Sequence, residues 1–261
     1  MLEALLQACC RAARSCLVTT PPSIAADLQS GAERVVRDPY LNWLTRIMGG
    51  WLTPGDGNLV AFDYAIGHMP EKGAVLEIGS FLGMSICAMS YMMWRHGRDN
   101  PLFSCDPWDF EGTAEPIGGF FDASKPEYRE YCVDVFKRNI RLYAEYHLPY
   151  SVEDYSHNFL SRWAAHEEAT DVLGRQVKLG GPLSFVYIDG AHTYEAASGD
   201  FLGADPFLLP GGYVFFDDTG EAWGPEMARV VQEVQRHPHY ELIARTPNYF
   251  FRKRLDAPAP E

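Results

Sequence analysis

From Ala74 onward the chain alternates short, nearly unbroken apolar runs with longer stretches of helical periodicity, and this alternation restricts the fold more than any other feature. The runs are AVLEI (Ala74–Ile78), LFSC (Leu102–Cys105), a stretch at Tyr150–Val152, LSFVYI (Leu183–Ile188) and GYVFF (212–216). Between them, SICAMSYMMWRH and residues 126–146, 156–166 and 194–208 are spaced as helices. Strands apolar on both sides must be covered on both faces, so the pattern predicts a parallel sheet between helical layers. The end of the chain breaks the pattern. YELIA and YFFRKR are separated only by RTPN, too short for a crossover, so they predict an antiparallel hairpin.

A length of 261 residues suits one large α/β domain with embellishments, or at most two small domains. The expected division is an N-terminal helical cap or lid over residues 1–70, a main domain over 71–254 with an insertion at 110–125, and a disordered tail at 255–261. Within the first part, Tyr40, Trp43, Leu44, Ile47, Met48 and Trp51 form an apolar stripe at helical spacing. Core packing is its favoured reading; a lid or a subunit contact, giving a homo-oligomer through the N-terminal helices, is the alternative. The first twenty residues read as an amphipathic helix, with a transit peptide as the alternative.

The formal charge of -13 argues against nucleic acid and against an anionic membrane surface, since both require a basic face. No apolar run has the length of a membrane span. The six cysteines form no CxxC pair and no Cys/His zinc spacing. Reduced thiols in a cytoplasmic protein are therefore expected, and the lack of Asn-x-Ser/Thr sequons fits.

Ligands of open α/β sheets bind at the carboxyl ends of the strands, so the residues that follow each run are the candidates. EIGSFLGMS (77–85) places Gly79 and Gly83 around a tight turn into a helix whose first N–H groups face outward. Glu77 lies inside the strand end, where a carboxylate is costly without donors or a cation. Asp106 ends the second run, a position suited to the vicinal hydroxyls of a ribose. Trp108 next to it could stack on a base or simply pack. Asp154, Tyr155 and Ser156 follow the third run and could border an adenine, or Asp154 or Ser156 could cap the next helix. The fourth and fifth runs end on Asp189 and on Asp217–Asp218. Three carboxylates on neighbouring strand ends repel one another unless a cation offsets them, and an all-oxygen set selects Mg²⁺, Mn²⁺ or Ca²⁺ over zinc. The alternative is that these acids cap turns.

With EIGSFLG and Ser85, Asp106, YIDGAHTYEA, LLPGGYVFFDD and the terminal hairpin together, residues from about 51 to 254 resemble the class I S-adenosylmethionine-dependent methyltransferases. Within them the chain looks like the metal-dependent small-molecule O-methyltransferases, the macrocin O-methyltransferase-like group above all. The resemblance implies a Rossmann-like, seven-stranded, mostly parallel α/β sheet with helices on both faces and a C-terminal antiparallel hairpin. By position, Glu77, Gly79, Ser80 and Gly83 would hold the methionine part of the cofactor, with Phe81 and Ser85 in the same turn. Asp106 would hold the ribose, Trp108, Asp154 and Tyr155 would border the adenine, and Asp189 would touch both cofactor and metal. Asp189, Asp217 and Asp218 match the metal ligands, and His192 matches the general base. Phe81 departs from the usual middle glycine, and the 110–125 insertion has no evident counterpart.

The implied activity is methyl transfer from S-adenosyl-L-methionine to a hydroxyl of a small molecule, a natural-product sugar or a phenol. A methyltransferase-like protein that only binds the cofactor is the alternative, and intact Asp189 and His192 argue against it. A nicotinamide dehydrogenase is opposed by the missing GxGxxG. Aromatic residues Phe110, Phe120, Phe121 and Trp223 suit a partly apolar acceptor.

Overall fold

The computed structural model describes residues 22–50, 52, 57–109, 125–220 and 225–260. Expectations for the first twenty residues, Trp51, Phe110, Phe120, Phe121, Trp223 and most of the 110–125 insertion lie outside these residues.

Three helices, α1 (Pro22–Arg37), α2 (Pro39–Ile47) and α3 (Asn58–His68), precede the first strand. The sheet then unfolds as expected: β1 (Ala74–Ile78), α4 (Met84–Arg95), β2 (Leu102–Cys105), α5 (Lys125–Tyr143), β3 (Tyr150–Val152) and α6 (Ser156–Ala164). A small antiparallel pair, β4 (Glu168–Thr170) and β5 (Gln176–Lys178), is followed by β6 (Leu183–Ile188), α7 (Tyr194–Ala204), β7 (Leu208–Phe216), α8 (Pro225–Arg236), β8 (Tyr240–Arg245) and β9 (Tyr249–Lys253). The main sheet has seven strands in the order β3-β2-β1-β6-β7-β9-β8. Its first five are parallel, and β9 lies antiparallel to both β7 and β8.

Strand alternation divides the core in two. Val75, Phe185, Tyr187, Tyr213 and Phe215 face α1 to α5, while Leu76, Ile78, Val186, Ile188, Val214 and Phe216 face α6, α7 and α8. The N-terminal helices belong to the first of these cores. Helix α3 is buried from Asn58 through Ile66, and Phe62 packs edge-on against Tyr187 and Phe215. In the expected stripe Leu44 and Met48 are buried, whereas Trp43 and Ile47 are exposed. Asp38 caps α2 through the N–H groups of Tyr40 and Leu41 and pairs with Arg95 of α4 at 2.8 Å.

Two boundaries differ by four residues from the sequence expectation. Helix α7 stops at Ala204 because Pro206 has no N–H to donate, so Asp205–Phe207 tightens into a 3₁₀ turn. Strand β7 begins at Leu208, before the Pro210–Gly211 irregularity. Cys87, Cys105 and Cys132 are buried and free. Among the described residues no helix is long and apolar enough to cross a membrane.

Candidate functional site

Strand β1 pairs with β2 on one side and β6 on the other, so the chain's crossovers part there and leave a crevice above the carboxyl ends. The strand ends are level. Asp189 N donates to Ile78 O at 2.8 Å, Asp217 N to Ile188 O at 2.9 Å, and Gly79 N to Cys105 O at 2.9 Å.

On the β1–β2 side the acids are served by the chain itself. Glu77 is fully buried, and its carboxyl accepts from Ser80 Oγ at 2.9 Å and from Ser85 Oγ. Burial pushes its pKa up to about 8 against the pull of the two serines. Asp106 accepts from the N–H groups of Ser80 at 2.7 Å, Phe81 at 2.9 Å and Trp108 at 2.6 Å. Burial raises its pKa and these three bonds oppose the rise. The turn from Gly79 to Gly83 is thereby tied down onto Asp106. Gly79, at φ +86°, has no alternative: a Cβ there would lie 2.0 Å from Asp189 O. Phe81 takes φ +44° in the same turn, a conformation that a side chain disfavours.

The remaining expectations on this side fare unequally. Trp108 is only 1% exposed; its ring lies 5.0 Å from that of Phe136 and its Nε1 donates to Phe81 O at 2.8 Å. The indole is thus packed, its ring tilted 58° to that of Phe136. Asp154 pairs with Arg162 at 2.9 Å, and exposed Tyr155 bonds Asp109. Tyr155 occupies the cap position of α6 without a side-chain cap bond, so neither Asp154 nor Ser156 caps that helix. Ser156 instead bonds Asp200, a buried α7 carboxyl that burial pushes up to about 6. Nothing in the sequence reading pointed to Asp200; a lone acid inside a helix carries no pattern.

On the β6–β7 side the acids face one another. Strand alternation stacks Tyr187 beneath Asp189 and Phe215 beneath Asp217 on one face. The Tyr187 hydroxyl lies 3.1 Å from Asp189 Oδ2 and 2.5 Å from Asp217 Oδ2. It carries one proton and cannot donate to both. Burial, then the charges of Asp217, Glu77 and Asp218, push the Asp189 pKa well above the carboxylate range. Burial likewise raises Asp217. Asp218 would point to the opposite face, but its φ of +51° turns it back into the crevice. There it meets His192, Nε2 to Oδ2 2.8 Å. That bond raises the imidazole's pKa against the effect of burial. Thr193, not His192, caps α7 by accepting from Ala196 N at 3.2 Å.

The expected metal set was Asp189, Asp217 and Asp218. Among the described residues, the groups whose ligand atoms lie within 4.8 Å of one another are Asp189, His192 and Asp218. Asp217 is engaged: its Oδ1 accepts from Asn58 Nδ2 at 2.9 Å and from Asn248 Nδ2. Tyr187, Asn58 and Asn248 are the residues that sequence reasoning missed. Only Tyr187 left a signal, two places before Asp189 and therefore on its face.

A family model described as a methyltransferase domain matches residues 76–219, more than half of the chain. No curated protein matches it. Among solved structures, the apo form of CalS11, described as a TDP-rhamnose 3'-O-methyltransferase of calicheamicin biosynthesis, is 16% identical with a TM-score of 0.51. That likeness covers 90% of this chain and 96% of the other. A second structure of CalS11 is 15% identical, covers 90% and 94%, and has a TM-score of 0.52. At such identity the likeness is one of fold. Strand order, strand-end loops and the family match agree, and the chain belongs to the methyltransferase-domain family.

Proposed function

We propose that the chain is an S-adenosylmethionine-dependent O-methyltransferase of small molecules, assisted by a divalent cation. The observation that carries this reading is the meeting of Asp189 and Asp217 on a single tyrosine hydroxyl at the strand ends, with Asp218 beside them. Asp189, raised by burial and then by the charges around it, fits a cation, and a set of oxygen donors fits Mg²⁺, Mn²⁺ or Ca²⁺. Asp189, Asp217 and Asp218 would hold it, and it would lower the pKa of an acceptor hydroxyl.

The chain's own residues supply the rest. The tied-down turn from Gly79 to Gly83, with Glu77, Ser80 and Ser85 beneath it, would receive the methionine part of the cofactor, and Asp106 its ribose. His192 would take the proton. With Asp218 engaged elsewhere, His192 loses the partner that raises its pKa, and Nε2 can accept a proton near neutral pH. When bound, the cofactor would supply a sulfonium methyl for the acceptor oxygen, its C–S electron pair leaving with S-adenosylhomocysteine. Positioning at the crevice contributes most of the acceleration. A natural-product sugar or a phenol is the acceptor class, the sugar by analogy of fold with CalS11. The buried free thiols support a reducing compartment such as the cytoplasm.

The test is a thermal-shift titration with S-adenosylhomocysteine, with and without Mg²⁺, followed by transfer of labelled methyl to a panel of hydroxylated acceptors. A shift with the cofactor product, enlarged by Mg²⁺, is expected. Absence of any shift with either would sink the reading.

A further inference from the structure

Three donors load one oxygen of Asp217, and the other meets the Tyr187 hydroxyl that Asp189 shares. Asn58, the first residue of α3, donates its Nδ2 to Asp217 Oδ1 at 2.9 Å. Asn248, in the turn between β8 and β9, donates to the same oxygen, and so does Asp218 N at 3.0 Å. The two amides are also joined, Asn248 Nδ2 to Asn58 Oδ1 at 3.1 Å. Asn248 is fixed at its far side, where its Oδ1 accepts from Thr219 N at 3.0 Å. Both asparagines are buried. Only an amide NH₂ can face a carboxylate, so the orientation of each side chain follows from its partner.

We infer that Asn58 and Asn248 form a positioning clamp that fixes the rotation of the Asp217 carboxylate and so holds its Oδ2 toward the cation site; the inference rests on the cation-assisted reading above. Two facts of chemistry support a clamp over ordinary packing. An amide orients a carboxylate without cancelling its charge, whereas a lysine or arginine in the same place would neutralise it and remove its attraction for a cation. The donors also come from far apart, 159 and 31 residues from Asp217 along the chain. Both lie outside the 76–219 segment that the family model matches. The N-terminal helices and the terminal hairpin therefore reach into the site from opposite ends of the sequence.

The experiment is calorimetric titration of Mn²⁺ and, separately, of S-adenosylhomocysteine into the full-length wild type, Asn248→Ala and Asn58→Ala. Each substitution is expected to weaken Mn²⁺ roughly 10- to 100-fold, as the loss of ligand-orienting partners does, and to leave S-adenosylhomocysteine within about twofold. Equal weakening of both ligands, or no change in either, overturns the clamp. If Asn248→Ala shows no cooperative melting, Asn58→Ala decides by the same criterion. A wild type that binds no Mn²⁺ overturns the cation reading itself, an outcome distinct from a wild type that binds it as tightly as the variants do.

Discussion

The two halves of the crevice treat their carboxylates in opposite ways. At the ends of β1 and β2, Glu77 and Asp106 receive two serine hydroxyls and three backbone N–H groups, all from within a few residues of the strand ends. At the ends of β6 and β7, the donors of Asp217 and Asp218 come from distant residues, Asn58, Asn248 and His192, and among the described residues Asp189 has a share in the Tyr187 hydroxyl. The first half is a cradle built before any ligand arrives, since its donors already shape the turn. The second half is a charge imbalance. Local donors suffice to shape a loop; like charges gathered from separate strands draw on distant donors, Asn58, Asn248 and His192, and, on the proposed reading, on a cation as well.

Replacing His192 tests that imbalance most strongly. As general base, His192→Ala should lower kcat about 10³-fold while Mn²⁺ affinity stays within a few-fold. Loss of Mn²⁺ binding instead would make the imidazole a ligand, as its place beside Asp189 and Asp218 permits, and the acceptor's proton would need another base. Asp189→Asn comes next. It should cost about 10²-fold in methyl transfer, equivalent to about 3 kcal/mol of lost cation assistance. In metal-free buffer the same substitution should raise the melting temperature by a few degrees, because one of three crowded acids is gone. A lowered melting temperature would mean that the acids are already compensated within the chain, and the contrast between the two halves would fail.

The contrast also marks what could be read from the sequence. Asp189, Asp106 and Glu77 were legible because an apolar run that ends on acid is locally anomalous, and the sheet follows from the same runs. The hairpin was legible from the four residues between two apolar runs. Strands β4 and β5 were not, being three residues each with no apolar run to mark them. The reach of Asp218 depends on a left-handed backbone at one residue, and alternation alone would have sent it away from the crevice. Asn58 and Asn248 meet Asp217 only through tertiary packing, so no spacing announces them. Trp108 was legible only as one of two alternatives, stacking or packing, and its burial against Phe136 is a tertiary fact that no spacing announces.

Glu77 makes a smaller and pH-dependent test of the cradle. Its carboxyl has an ordinary pKa of 4.5 and one of about 8 in the fold. A raised pKa means that its contribution to stability is full below about 4.5 and is lost as the pH climbs through about 8. Glu77→Gln has no such titration. Urea unfolding across this range should show the variant gaining on the wild type as the pH rises, by on the order of 4 kcal/mol. The gain should shrink in saturating S-adenosylmethionine, whose cationic methionine end would favour the ionised acid. A difference flat with pH would show that the serines already hold Glu77 ionised.

The smallest expected effect concerns Phe81, where the cradle departs from the glycine common in the family. Its left-handed backbone costs about 1 kcal/mol with a side chain present, so Phe81→Gly removes that strain. The glycine also makes the unfolded chain more flexible, which costs roughly 0.5–1 kcal/mol. The partly buried ring packed on the first core is lost as well. These terms nearly cancel, and stability should move by less than about 1 kcal/mol. Cofactor affinity separates the two roles of the turn. The N–H of residue 81 still donates to Asp106 in the variant, so a cradle shaped by its backbone should bind S-adenosylhomocysteine as tightly as before or more tightly. Marked weakening would mean that the phenyl ring itself touches the cofactor, and that the β1–β2 half works through a side chain as the β6–β7 half does.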